Sequence, residues 1–100
     1  MSAQQVIAEE TRLIILKELD LQANQSITSE AMRRILLQDW VIDQPREWVE
    51  EEFRYLVSMK AIETHQARSV LIAKLTERGS QHLQGLINIP GVQRPSSTGR

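Results

Sequence analysis

No cysteine occurs among the 100 residues, so disulfides and thiolate metal sites are excluded and no oxidising compartment is implied. No apolar run approaches the roughly 20 residues needed to span a bilayer. Met1-Ser2-Ala3-Gln4-Gln5 lacks the basic region and apolar stretch of a signal peptide, which predicts a protein that stays in the cytoplasm. The chemistry of catalysis is thin as well. His65 and His82 stand alone, neither HxxxH nor HExxH occurs, and there is no glycine-rich phosphate loop or nucleophile elbow. Glu50, Glu51 and Glu52 are consecutive on a helix, so they point in three directions and do not converge as a catalytic pair. No enzyme, cofactor or metal is expected. Excess charge of one sign is missing too. Twelve Lys plus Arg stand against thirteen Asp plus Glu, a formal net charge of -1, whereas small nucleic-acid-binding domains are usually clearly basic.

What is present is the pattern of one α+β domain, mainly helical, with a small β-hairpin. The first helix is expected over about Ala3 to Ala23, with Ala8, Ile15, Leu16 and Leu19 on one apolar stripe. Val6, Ile7, Leu13 and Ile14 form a neighbouring stripe, either wedged into the core or left as a surplus face for a second copy. Asn24-Gln25-Ser26 breaks the pattern. Thr28 caps the second helix, with Ile27 and Met32 as a hydrophobic staple and Met32, Ile35 and Leu36 pointing inward. Gln38 to Gln44 is read as a turn in which Trp40, Val41 and Ile42 close the bottom of the core.

Asp43-Gln44-Pro45 starts the third helix. Val49, Phe53 and Leu56 are its buried stripe, with Val57 beside it. Trp48 and Tyr55 share a flank, placed either over the edge toward the hairpin or at an interface. The opposite face carries Glu47, Glu50, Glu51, Arg54 and Ser58, with Glu50 and Arg54 spaced for an ion pair. Strands are expected over Ala61 to Gln66 and Val70 to Leu75. Thr76-Glu77-Arg78-Gly79 then has the chemistry of a helix start, leading to a fourth helix as far as Ile87 or Asn88 that buries Leu83, Leu86 and Ile87. Gly79 allows close approach to the hairpin. The domain is read as residues 1–89, and 90–100 as a flexible tail with almost nothing to bury. His65 and His82 are both read as surface residues.

The order helix, helix, helix, hairpin, helix is that of a winged helix-turn-helix. The pairing of Ile72-Ala73-Lys74-Leu75-Thr76-Glu77-Arg78-Gly79 with Ile89-Pro90-Gly91-Val92-Gln93-Arg94-Pro95 resembles small proteins of Mu-like transposable phages and prophages. Their members end in a strand, a Leu-Thr-Glu-x-Gly helix start and a Gly-Val-x-Arg-Pro tail. The resemblance spans nearly the whole chain and implies a winged-helix fold and a phage origin, hence the cytoplasm of a bacterial host. It carries no established site.

Two readings of function follow. In the first, the chain is a DNA-binding, regulator-like dimer whose third helix meets double-stranded DNA. Arg33, Arg34, Arg46, Arg54, Arg68 and Arg94 are then the candidate phosphate contacts, with Lys60 and Arg100 nearby. In the second, it is a phage interaction or assembly module whose acidic third helix contacts protein. The candidate homodimer interface is Val6, Ile7, Leu13 and Ile14 of the first helix with Leu86 and Ile87 of the fourth. A continuous basic stripe across the third helix and the hairpin would favour DNA.

Overall fold

Ser2 opens the first helix by accepting a hydrogen bond from the Gln5 amide at 3.1 Å, and α1 runs Ala3–Leu21. The structure is a computed structural model that describes residues 2–95. Ile15, Leu16 and Leu19 are wholly buried, as expected. Leu13 and Ile14 are also in the core, at 2% and 4% exposure, so neither belongs to a surplus face. The reason is that α1 is packed by α3 (Arg46–Ser58), α4 (Glu77–Leu83) and two strands at once, which requires a wide apolar arc. Val6 and Ile7, at the outer end of the helix, remain about half exposed.

After α1 the chain turns through Asn24 and Gln25, both at positive φ, and Ser26–Thr28 forms a short strand, β1. Sequence reading gave only a break there. β1 pairs antiparallel with the later strand Val70–Leu75, matching Ser26 to Lys74 and Thr28 to Ile72. Three residues are too few to display a period-two pattern, and their partner lies far along the chain. Thr28 then caps α2 (Ser29–Trp40), accepting from the Ala31 amide at 3.1 Å. Met32 and Leu36 are buried and Ile35 is half-buried.

α2 continues to Trp40, past the turn expected from Gln38, and stops because Val41 takes a left-handed conformation at φ 58°. The Ile42 amide then bonds back to the Leu36 carbonyl at 2.9 Å. Of the three residues expected to close the core, Ile42 alone packs against it. Trp40 is 39% exposed and Val41 85%. Pro45 caps α3 with its carbonyl, which accepts from the Trp48 and Val49 amides. Val49, Phe53 and Leu56 are fully buried, while Val57 is exposed.

The hairpin strands are β2 (Ile62–Ala67) and β3 (Val70–Leu75), and the antiparallel sheet has the order β1-β3-β2. Thr76 caps α4 through the Gly79 amide at 3.1 Å. A Cβ on Gly79 would overlap the Ala61 carbonyl, so the close approach read from the sequence is real. Among the described residues the architecture is thus α+β, with four α-helices and a three-stranded antiparallel sheet.

α4 ends at Leu83, not at Ile87 or Asn88. Gly85 is left-handed at φ +78°, its amide bonds the His82 carbonyl, and the Leu86 amide bonds the Gln81 carbonyl, the paired bonds of a glycine-terminated helix. Leu86 is consequently 68% exposed and Ile87 half-buried, against the expectation that α4 buries both. Ile89 is buried at the end of the domain read as 1–89, and the segment from Pro90, read as having almost nothing to bury, buries Val92 in the core. His82, read as a surface residue, is completely enclosed beneath it. Arg12 donates to the Gly91 carbonyl at 2.9 Å, the Tyr55 hydroxyl donates to the Pro90 carbonyl at 2.9 Å, and the Gln93 amide donates to the Glu9 carbonyl. Gly91 sits at φ +80° where a Cβ would strike the Tyr55 hydroxyl. Residues 96–100, with Arg100 and the expected disorder of the tail's end, lie outside the described residues.

Two stability changes test this packing. Phe53→Ala removes the largest fully buried side chain and should cost about 3–5 kcal/mol in urea unfolding; a loss below about 1 kcal/mol would contradict the placement of α3. Val41→Gly relieves a β-branched residue in left-handed backbone, worth about 1–2 kcal/mol, against the extra chain entropy of glycine. A net gain of about 0.5–1 kcal/mol is expected, and a loss would show that Val41 is packed.

Candidate interaction surface on α2 and α3

The six arginines named as phosphate contacts do not form one surface. Arg33 and Arg34 lie on α2, and both point to Glu30 in its first turn. Arg33 makes a two-pronged contact to both Glu30 oxygens, at 2.6 and 3.1 Å, and Arg34 reaches one of them at 3.2 Å. These are pairs three and four residues apart, the spacing at which helix side chains meet. On α3, Arg54 bonds Glu51 at 3.0 Å, and the Arg46 Nε lies 3.6 Å from Glu50.

The expected Glu50–Arg54 pair does not form, because Glu50 is engaged elsewhere. Its carboxylate accepts from the buried Ser29 hydroxyl at 2.7 Å, and that hydroxyl accepts in turn from the Leu71 amide at 3.3 Å. Glu50 therefore ties α3 to the start of α2 and to β3, and its side chain is only 14% exposed. Glu52 is turned inward too, held by Arg12 at 2.6 Å. Of the carboxylates assigned to the acidic face, Glu47 and Glu51 are the exposed ones. Arg33, Arg34, Arg46 and Arg54 thus stand against three carboxylates, Glu30, Glu50 and Glu51, with Glu47 exposed in the first turn of α3. No continuous basic stripe runs across this face.

Arg68 sits apart at the hairpin turn, exposed and at positive φ. Arg94 lines a cavity of about 300 Å³ with Gly85, Leu86 and Ile87 beyond α4. Of the proposed dimer residues, Leu13 and Ile14 are inaccessible. Ile7 lines a groove of about 390 Å³ with Gln4, Gln44 and Trp48, whereas Leu86 belongs to the separate cavity beside Arg94. Tyr55, expected near the hairpin edge or an interface, instead stacks on Arg12, whose guanidinium carbon is 3.7 Å from the ring centre.

Sequence reasoning missed a second exposed cluster. Leu37, Trp40 and Val41 form an apolar end to α2, with the Trp40 indole donating to Glu18 at 3.1 Å. The signal was present as Leu36-Leu37 followed by Trp40-Val41-Ile42, but the left-handed turn that exposes Val41 has no glycine or asparagine to announce it.

Among the described residues, no group of three or more His, Asp or Glu could hold a metal ion, and no helix is long and apolar enough to cross a membrane. No protein-family model, curated protein or solved structure matches the chain.

The α2 charge cluster has a measurable signature. Hydrogen bonding from Arg33 is the main cause that lowers the Glu30 carboxyl from its usual 4.5 to about 2, with partial burial opposing it. A lowered carboxylate stabilises the fold at pH above its ordinary value, and that contribution fades as pH falls through about 2. The Glu30 carboxyl resonance should titrate near pH 2 in the wild type and move toward the ordinary range in Arg33→Ala; an ordinary titration in the wild type would show the cluster to be open in solution.

Proposed function

We propose that this chain is a winged-helix interaction module that works through protein contacts on its α2–α3 side rather than by gripping DNA. The observation that carries the reading is that all four α2 and α3 arginines lie against glutamates of their own helices, Arg33 and Arg34 sharing Glu30, Arg46 beside Glu50 and Arg54 on Glu51. Phosphate binding gains its free energy by replacing counterions with protein cations. Arginines already matched to carboxylates displace few counterions, and the exposed Glu47 and Glu51 would face the phosphates.

The apolar end of α2 supports the same reading. Val41 is the most exposed of the large hydrophobic residues, held in backbone that disfavours its branched side chain. Strain kept at an exposed apolar position, next to Leu37 and Trp40, fits a contact surface better than a folding requirement. Val6 and Ile7 beside the Trp48 groove offer a second apolar contact, suited to another copy of the chain. The sequence resemblance to phage proteins is consistent with a role in phage assembly or regulation.

The second reading, a DNA-binding regulator, draws on the order of elements and on Arg68 at the hairpin tip, where a wing would touch the backbone. One titration separates the two. Fluorescence anisotropy against duplex DNA at about 50 and 200 mM salt should show negligible binding by the wild type. Glu47→Lys with Glu51→Lys should raise non-specific, salt-dependent binding by adding cations to a neutral face. Tight wild-type binding that these reversals abolish would overturn the proposal and assign the carboxylates to base recognition.

A further inference from the structure

The geometry points to a pH-controlled latch, in which His82 holds the C-terminal segment 89–93 only while its imidazole is neutral. The ring is completely buried, and both of its nitrogens are bonded to that one segment. The Ile89 amide donates to Nδ1 at 3.1 Å, and Nε2 lies 2.9 Å from the Gln93 carbonyl oxygen. An amide N–H only donates and a carbonyl only accepts, so Nδ1 carries the lone pair and Nε2 the proton. This is a single tautomer of the neutral ring.

Protonation breaks the arrangement in a way the site cannot repair locally. An imidazolium has N–H at both positions, so Nδ1–H would point at the Ile89 N–H. Turning the ring over exchanges two identical donors and leaves the conflict in place. Water cannot relieve it while the ring stays enclosed. The segment must therefore move away from the ring when the proton arrives.

Neighbouring charges do not compensate. Arg12 on α1 and Glu52 on α3 are committed to each other, and Glu9 engages the segment through its backbone carbonyl. Tyr55 is bonded to Pro90, and Arg78 on α4 to the Met59 carbonyl. Neither ring nitrogen is bonded to a carboxylate; both partners are backbone groups of the segment. The left-handed Gly85 and the exposed Leu86 and Asn88 form the link about which the segment can swing. Its departure withdraws Ile89 and Val92 from the core and breaks the bonds from Arg12 to Gly91 and from Tyr55 to Pro90, while the strand pairing of the sheet does not involve the segment.

The test is amide hydrogen exchange on the full chain between pH 7.5 and 5, expressed as protection relative to the intrinsic rate at each pH. The open state binds one more proton than the latched state, so protection at Ile89 and Gln93 should fall as the pH is lowered across this range, by up to about tenfold per pH unit. The β2 and β3 amides should keep theirs. His82→Gln, neutral throughout, should show no such pH dependence; the wild-type profile decides the matter even if that variant folds poorly. Unchanged protection at Ile89 and Gln93 down to pH 5 would overturn the latch, as would their loss in step with the sheet amides.

Discussion

The Arg12 guanidinium is the interaction on which most of the tertiary arrangement depends. Its Nε bonds Glu52 of α3 at 2.6 Å, its Nη1 bonds the Gly91 carbonyl at 2.9 Å, and its plane lies on the Tyr55 ring. One side chain therefore joins α1, α3 and the C-terminal segment. The Arg12 and Glu52 side chains are 16% and 10% exposed, so the pair is largely removed from water. Leaving one member of such a pair behind costs about 3–5 kcal/mol, while replacing both by apolar groups can be near neutral. Its value is thus geometric as much as energetic. It fixes where α3 lies on α1, and that decides where Tyr55 meets Pro90 and where Gly91 must lack a side chain.

A near-zero net charge takes on a definite meaning in this arrangement. Five of the cations are spent in ion pairs. Glu30 absorbs two arginines of α2, Glu51 and Glu50 stand against two of α3, and Glu52 holds Arg12. Exposed helix pairs of this kind contribute little to stability, typically a few tenths of a kcal/mol each. Their larger effect is on the surface potential, which they flatten across the face where a DNA-binding domain of this order would be positive. The apolar end of α2 and the Trp48 groove are then the features of the surface that stand out.

Errors in reading the sequence share a cause. Leu13 and Ile14 looked surplus because a single helix was weighed against a generic small core, whereas α1 is surrounded. Val92 looked exposed because Pro90 and Gly91 end regular structure, and regular structure was equated with burial. The segment is irregular and buried, its carbonyls satisfied by Arg12, Tyr55 and His82 from three different elements. Glu50 looked like a member of one acidic face and a partner for Arg54, yet a neighbour distant in sequence, Ser29, claims it. Gly85 is the exception that was legible, since a glycine near a helix end is a known stop, yet α4 was read through it to Ile87 or Asn88.

By itself the sequence determined the order of the four helices and the hairpin, the two threonine caps, the buried stripe Val49, Phe53 and Leu56, and the tight packing of Gly79. Apart from the approach of Gly79 to Ala61, these rest on contacts within a turn or on periodicity along one element, which a chain carries in its own spacing. Only the tertiary structure decided that Ser26–Thr28 is a strand, that Arg12 and Glu52 meet, that His82 is enclosed with both nitrogens occupied, and that Glu50 is a strut. Each of those requires two residues between 7 and 40 positions apart to come within about 3 Å, or one strand to find another nearly half the chain away. Spacing along the chain holds no record of such meetings, because they are set by how packed faces close around a shared core.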